Sequence, residues 1–446
     1  MQQSPHPIDN IVSVLEANDS KTLMGLFEGA HPADIADALE SLTPEKRHLA
    51  WTHIPVEARG EVLAELNEGV FKTLTQELHS DELIPAIQQL DIDDIADLIP
   101  DLPESILADV LFAVDTETRN HLGEVLAYPE DSAGGLMNLD ATVVRDNVTI
   151  DVLLRFLRLK DELPKQTGSI YLVNRHNRLT GVLAVERLLT SDLNELAANF
   201  IDESPVIFEA MDSEDEVAKS FADYDLTSAP VVNEKNELLG RITIDDVVDV
   251  IKEQAEHDIM AVAGLPNEAD IFAPVATTTK NRTLWLGVNL ITALLGSWVI
   301  GQFEGSIQQL VALAVLMPIV ASMGGNAGTQ TLTVVIRGMS MGTITSENAF
   351  NVLKKESLVG VFNGLLWAIV ISIIAGLWYG SPALGSVIAA AMVANLIMGA
   401  IAGVCIPIFL DKVGVDPALA GGVALTTVTD VVGYFSVLGL ATMLLL

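Results

Sequence analysis

Asp430 stands in the middle of the last apolar stretch of the chain, in the run Thr426-Thr427-Val428-Thr429-Asp430. An aspartate at the centre of a bilayer costs about 2.5–3.5 kcal/mol on insertion scales, so such residues usually face a water-filled path. Its neighbours fit a path. Thr426 lies one turn earlier on the same face, Thr427 lies at i−3, and Gly433 thins the helix surface beyond it. The alternative is a helix–helix hydrogen bond from a protonated aspartate, and no basic partner exists at that depth. A second group runs from Pro318 to Gln330, PIVASMGGNAGTQ. Small-residue strings in membrane helices often only permit close packing. Here Gly324, Gly325, Asn326, Gly328, Thr329 and Gln330 combine flexibility with polar oxygens, which predicts interrupted backbone lining a cavity.

These residues fall within five hydrophobic segments of spanning length: about 283–303, 307–337, 355–379, 383–410 and 418–446. The second is long and carries Pro318 and Gly324-Gly325, so it is expected to break there. From residue 280 onward there are six bases, Lys280, Arg282, Arg337, Lys354, Lys355 and Lys412, all at one set of span ends. The positive-inside rule then places the front of the chain in the cytoplasm and the C-terminus outside, as in a multi-pass protein of the cell (inner) membrane.

The same stretch holds six acids, so the whole net charge of −36 belongs to residues 1–279. A soluble region that repels itself this strongly stays loose or takes up cations, and beside a membrane pore it reads as a cation sensor. A pI near 4.3 excludes nucleic acid as a partner. The single cysteine, Cys405, excludes a disulfide framework or a thiolate metal cluster within one chain. The opening MQQSPHPIDN has neither a basic nor an apolar region, so no cleaved signal peptide is expected.

Residues 1–127 read as short amphipathic helices, and Asp34–Leu39 (DIADAL) echoes Asp94–Ile99 (DIADLI), as in a helical-repeat domain. A clearer duplication follows. SIYLVNRHNRLTGVLAVERLL (169–189) aligns without gaps on SAPVVNEKNELLGRITIDDVV (228–248). Each copy is a strand, an Asn-x-x-Asn turn, a second strand entered through Gly181 or Gly240, and a helix. This order looks like a tandem pair of CBS modules. CBS pairs often bind adenine nucleotides through a Gly-h-h-Thr-x-x-Asp pattern (h, apolar), which Gly240-Arg-Ile-Thr243-Ile-Asp245-Asp246 fits apart from Arg241. That makes Thr243 and Asp246 the candidate ATP contacts. The first copy lacks both residues, and Leu226 stands where a stacking aromatic would help.

Taken together, GGNAGTQ, VGVDPAL (413–419) and TTVTDVVG resemble the bacterial MgtE magnesium channel family, and the order of regions is similar throughout. The resemblance implies a multidomain membrane protein: an all-α N domain (1–127), tandem α/β CBS domains (128–250), a connecting plug helix (251–280) and a five-span transmembrane domain (281–446). It implies a homodimer with the pore on the two-fold axis, Asp430 selecting the ion, and Thr426, Thr427 and Asn326 beside it. It also implies regulatory Mg2+ on Asp93, Asp97, Asp215, Asp225, Asp246, Asp249, Asp258 and Asp416, closing the pore when cytosolic magnesium is high. Three expected acids are replaced, by Ser213, Gln254 and His257, and His257 would add pH sensitivity. Magnesium is the expected ion, both carried and regulatory. Manganese, cobalt and nickel remain candidates, since an oxygen-lined site separates them poorly.

Two other classes compete with this reading. A CBS-regulated membrane enzyme needs a catalytic constellation, yet the spans hold no histidine and one cysteine. A secondary transporter coupled to protons through Asp430 remains the alternative to a channel.

Overall fold

A computed structural model describes residues 11, 14–15, 20–160, 163–202, 204–262, 264–265, 270–345 and 347–446. The chain divides into two compact units. One holds Met1–Ala255 with Glu268–Ala273, and the other holds Glu256–Asn267 with Pro274–Leu446.

The first unit begins with short helices whose limits are set by turn chemistry. Asn67 caps one by accepting the Val70 N–H at 2.9 Å, and proline at the first position opens α2 (Pro32–Glu40) and α3 (Pro44–Trp51). The echoed hexapeptides occupy matching places. In α2, Ile35, Ala36, Ala38 and Leu39 are buried, and in α7 (Ile92–Leu98) so are Ile95, Ala96 and Leu98. Asp34, Asp37 and Asp97 stay exposed. Arg47 of α3 is fully buried: Nε donates to Leu39 O and Nη2 to Leu42 O, each at 3.0 Å. Its Nη1 reaches Asp270 at 2.9 Å, on the segment just ahead of the first span.

The duplicated region folds as two matching three-stranded sheets. In the first, β1 (Val143–Arg145) pairs parallel with β2 (Ser169–Val173), which pairs antiparallel with β3 (Leu179–Ala184). In the second, β4 (Phe208–Glu209), β5 (Ser228–Val232) and β6 (Leu238–Thr243) repeat the pattern. The register shifts fall at Leu172/Val173 and Val231/Val232, 59 residues apart. Asn177 and Asn236, at φ 60° and 61°, take the left-handed position that asparagine tolerates. Each also reaches the opposite copy, Asn177 Nδ2 donating to Leu238 O and Asn236 Nδ2 to Leu179 O. Helix α13 (Ile244–Val262) continues from the second sheet and passes from one unit into the other.

Five helices long and apolar enough to cross a membrane form the rest: α14 (Val275–Gly301), α16 (Ala312–Ser340), α17 (Ala349–Tyr379), α18 (Pro382–Lys412) and α19 (Pro417–Leu444). A short helix, α15 (Glu304–Gln309), replaces the expected loop after the first. The predicted break in the second span does not occur. α16 runs unbroken through Pro318 and Gly324-Gly325. Its glycines serve packing instead. A Cβ on Gly399 would stand 2.6 Å from Gly324 O, and one on Gly403 2.7 Å from Gly328 O. Two glycine pairs at i, i+4 therefore let α16 and α18 cross backbone to backbone. Gly360 and Gly364 do the same for α17 against α18, where added Cβ atoms would meet Leu396 O at 3.2 Å and Val393 Cα at 3.3 Å.

Candidate functional site

Asp430 lies midway along α19, half-buried in the single chain, and no described residue forms a hydrogen bond or ion pair with its carboxylate. The threonines around it bond back onto their own helix. Thr426 Oγ1 donates to Gly422 O (2.9 Å), Thr427 to Val423 O (2.7 Å) and the fully buried Thr429 to Leu425 O (3.0 Å). Each hydroxyl proton is thereby spent inward, leaving the oxygen lone pairs as acceptors. Thr426 is exposed and Thr427 half-buried, so their oxygens share the open side with Asp430.

Asn326 is exposed on α16. The group that the sequence marked with Asn326, Thr329 and Gln330 extends to Ser322 and Thr333, which the sequence reading missed: all five are exposed and form a stripe, at spacings of three and four along one helix. A count of polar residues at helical period would have found both. Helices α16 and α19 meet beside the site, since a Cβ on Gly325 would lie 3.7 Å from Thr429 Oγ1. The contact is one residue from Asn326 and one from Asp430.

Among the expected regulatory residues of the first unit, Asp97, Asp215 and Asp225 are exposed, on α7, on α12 (Glu214–Tyr224) and at its left-handed C-cap. Asp93 lies in α7, its side chain outside what is described. Asp249 is open to solvent over much of the residue, yet its carboxyl is pushed above the usual range, chiefly by burial, with Lys252 opposing. Carboxylates do gather around Glu214. Burial first, then Asp215, Asp131, Glu253 and Glu130, push it up to about 7. No three acids or histidines among the described residues converge in metal-binding geometry. A cleft of about 620 Å³ beside α7 is lined in part by Asp91, Asp115, His121 and Asp140, and holds none of the expected ligands.

Within the second unit, Asp258 is half-buried on α13. Asp416 caps α19, Oδ1 accepting the Ala418 N–H at 2.8 Å. Its Oδ2 lies 3.0 Å from Nε2 of His257, the residue found where an acid was expected. The histidine is thus in direct contact with Asp416.

The nucleotide candidates are turned toward each other. Asp246 accepts the Thr243 hydroxyl at 2.8 Å and its N–H at 3.2 Å, and Thr243 also bonds Asp245. Arg241, two residues before Thr243, is 3 % exposed. It donates to Asp140 Oδ1 (3.0 Å), Gln166 O (3.2 Å) and Lys165 O (2.7 Å). Gln166 in turn donates to Asp245 at 2.6 Å. The hydroxyl and carboxylate that a ribose would engage are thus bonded to each other.

Comparison with known proteins gives three matches along the chain. Residues 30–131 match the MgtE intracellular N domain, 197–253 a CBS domain, and 317–440 the family described as MgtE, divalent cation transporter. The magnesium transporter MgtE of Thermus thermophilus is 30 % identical over 445 residues, covering 98 % of both chains. The chain belongs to the MgtE family of magnesium transporters. The MgtE of Bacillus subtilis is 27 % identical, covering 97 % of this chain and 96 % of its own. A crystal structure of the cytosolic domain of the Mg2+ channel MgtE in complex with ATP is 30 % identical, with a TM-score of 0.50 over 55 % of this chain and 99 % of that one. Helical N domain, CBS domains and five membrane-capable helices are thus the MgtE arrangement.

Proposed function

We propose that the chain is a magnesium-selective channel for passive uptake, working as a homodimer in the cell membrane with its acidic N-terminal region in the cytoplasm. One observation carries the reading: an unpartnered carboxylate, Asp430, shares the open side of α19 with threonine oxygens, next to the polar stripe of α16. Such a surface is unfavourable against lipid and favourable around a water-filled path. Two Asp430 side chains facing each other across a two-fold axis would repel, and a dication between them removes that conflict. One carboxylate per protomer with hydroxyl oxygens around it suits an ion that sheds its waters reluctantly, as Mg2+ does. A divalent ion crossing 100 mV gains about 4.6 kcal/mol, so no chemical fuel is required.

Closure follows from charge. The net −36 of residues 1–279 opposes docking until cations bridge it, and Mg2+ on the regulatory aspartates would let the domains close and hold the pore shut. With Thr243 and Asp246 bonded to each other, adenine nucleotide is left out of this reading, although a relative was crystallised with ATP. Manganese, cobalt and nickel stay candidate cargo beside Mg2+, since an oxygen-lined site separates them poorly. The test is Mg2+ flux into liposomes at low and high cytoplasmic Mg2+, for wild type and Asp430→Asn. Loss of divalent selectivity in the variant and loss of flux at high Mg2+ in the wild type are expected. A variant that retains Mg2+ flux but loses proton coupling would replace the channel by an exchanger.

A further inference from the structure

The side chain of Asn395 is fully buried halfway along α18, in the run Met392-Val393-Ala394-Asn395-Leu396-Ile397-Met398. Its Nδ2 donates to Val320 O of α16 at 2.8 Å. Its Oδ1 has neither a partner nor contact with solvent, and no other buried side-chain polar atom among the described residues of the five spans is left so. The reverse orientation of the amide would set two acceptors against each other, so the hydrogen bond fixes which atom points where. Val320 O is also the carbonyl that the Gly324 N–H addresses within the helix, so the amide braces α16 where its glycines begin.

Two glycines make room for this one group. A Cβ on Gly324 would stand 2.1 Å from Nδ2, and one on Gly433 2.8 Å from it. Gly324 opens the segment that carries Asn326 and Thr329, and Gly433 lies three residues beyond Asp430. The amide is thus wedged between the helix bearing the polar stripe and the helix bearing the carboxylate. Leucine would fill a similar volume without burying an open acceptor, but apolar packing has no direction and would not fix the rotation of α16.

We propose that Asn395 is a positioning residue for ion passage: its amide sets α16 against α19, and so holds the Asn326 stripe at a fixed spacing from Asp430. This rests on the reading that Asp430 lines the pore. The experiment measures Mg2+ and Co2+ flux in liposomes for wild type, Asn395→Leu, Gly324→Ala, the double variant Gly324→Ala/Asn395→Ala, and Asp430→Asn, each checked for folding by its melting temperature. Asn395→Leu is expected to melt like wild type. Its Mg2+ flux at saturating ion falls about three- to tenfold, the range of a lost intramembrane hydrogen bond, and its Mg2+/Co2+ flux ratio changes. Gly324→Ala loses flux, and Asn395→Ala in the same chain restores part of it by clearing the space. A purely packing role predicts that Asn395→Leu keeps both rate and ratio. That result, with Asp430→Asn defective, overturns the proposal and leaves the pore reading intact. Should Asp430→Asn carry Mg2+ as wild type does, the pore reading fails first. Where Asn395→Leu does not fold, the double variant decides, and absence of recovery overturns the proposal.

Discussion

Removing the carboxylate of Asp270 should unfold the N-terminal helices more readily than removing its partner, Arg47. The pair is 2.9 Å apart, with side chains 1 % and 2 % exposed, and both guanidinium nitrogens that face Asp270 bond to it. Asp270→Ala leaves a buried cation whose remaining partners are the carbonyls of Leu39 and Leu42. Stranding one member of a buried pair costs about 3–5 kcal/mol. Arg47→Met is milder, since a carboxylate left alone can take up a proton and a guanidinium cannot shed one. The double variant Arg47→Met/Asp270→Ala should recover most of the loss, because two apolar groups need no compensation. For a domain of this size the first substitution lowers Tm by on the order of 10 °C. Hydrogen exchange of the full-length protein in detergent reads it directly, as lost protection in α2 and α3 around the buried Trp51. Equal protection in wild type and Asp270→Ala would show that the charge is not buried, and the reasoning would fall.

Two further outcomes follow from the first unit. Glu214 binds its proton more tightly folded than unfolded, so its contribution favours the fold at low pH and is lost as pH rises from about 4.5 to about 7. Glu214→Gln should therefore stabilise the protein by about 1–2 kcal/mol at pH 8, after allowance for its partial exposure, and flatten melts between pH 5.5 and 8. Millimolar ATP should leave the wild-type melting curve unmoved, because the Thr243 hydroxyl and N–H are already bonded to Asp246. A stabilising shift would show that the Thr243–Asp246 pair parts for the nucleotide.

Local repetition was the most legible part of the chain. The offset of 59 between the two α/β copies reappears in the register shifts and in the left-handed asparagines, because strand pairing and turn chemistry are settled by neighbours in sequence. The count of spans was equally plain, since each must be long and apolar. What failed was the meaning of glycine. In PIVASMGGNAGTQ the glycines suggested a broken helix, whereas the structure uses them to seat Gly399 and Gly403. Glycine reports close approach without naming what approaches, and the partner lies some 75 residues on. The Arg47–Asp270 pair was illegible for the same reason, its members being 223 residues apart. Asn395 was legible and overlooked: the argument that singled out Asp430, a polar side chain where hydrocarbon is expected, applies to it equally.

The crossing of α16 over α18 through bare backbone has a mechanical corollary. Interlocked side chains absorb small rotations by changing rotamer, but carbonyls seated on glycine Cα atoms have no such give. These two helices should behave as a riveted strut, turning together or not at all. Compliance then belongs to α14, whose apolar side chains lie mostly on the surface of the single chain. Spin labels on α16 and α18 should keep their separation across every ionic condition, while a label on α14 drifts.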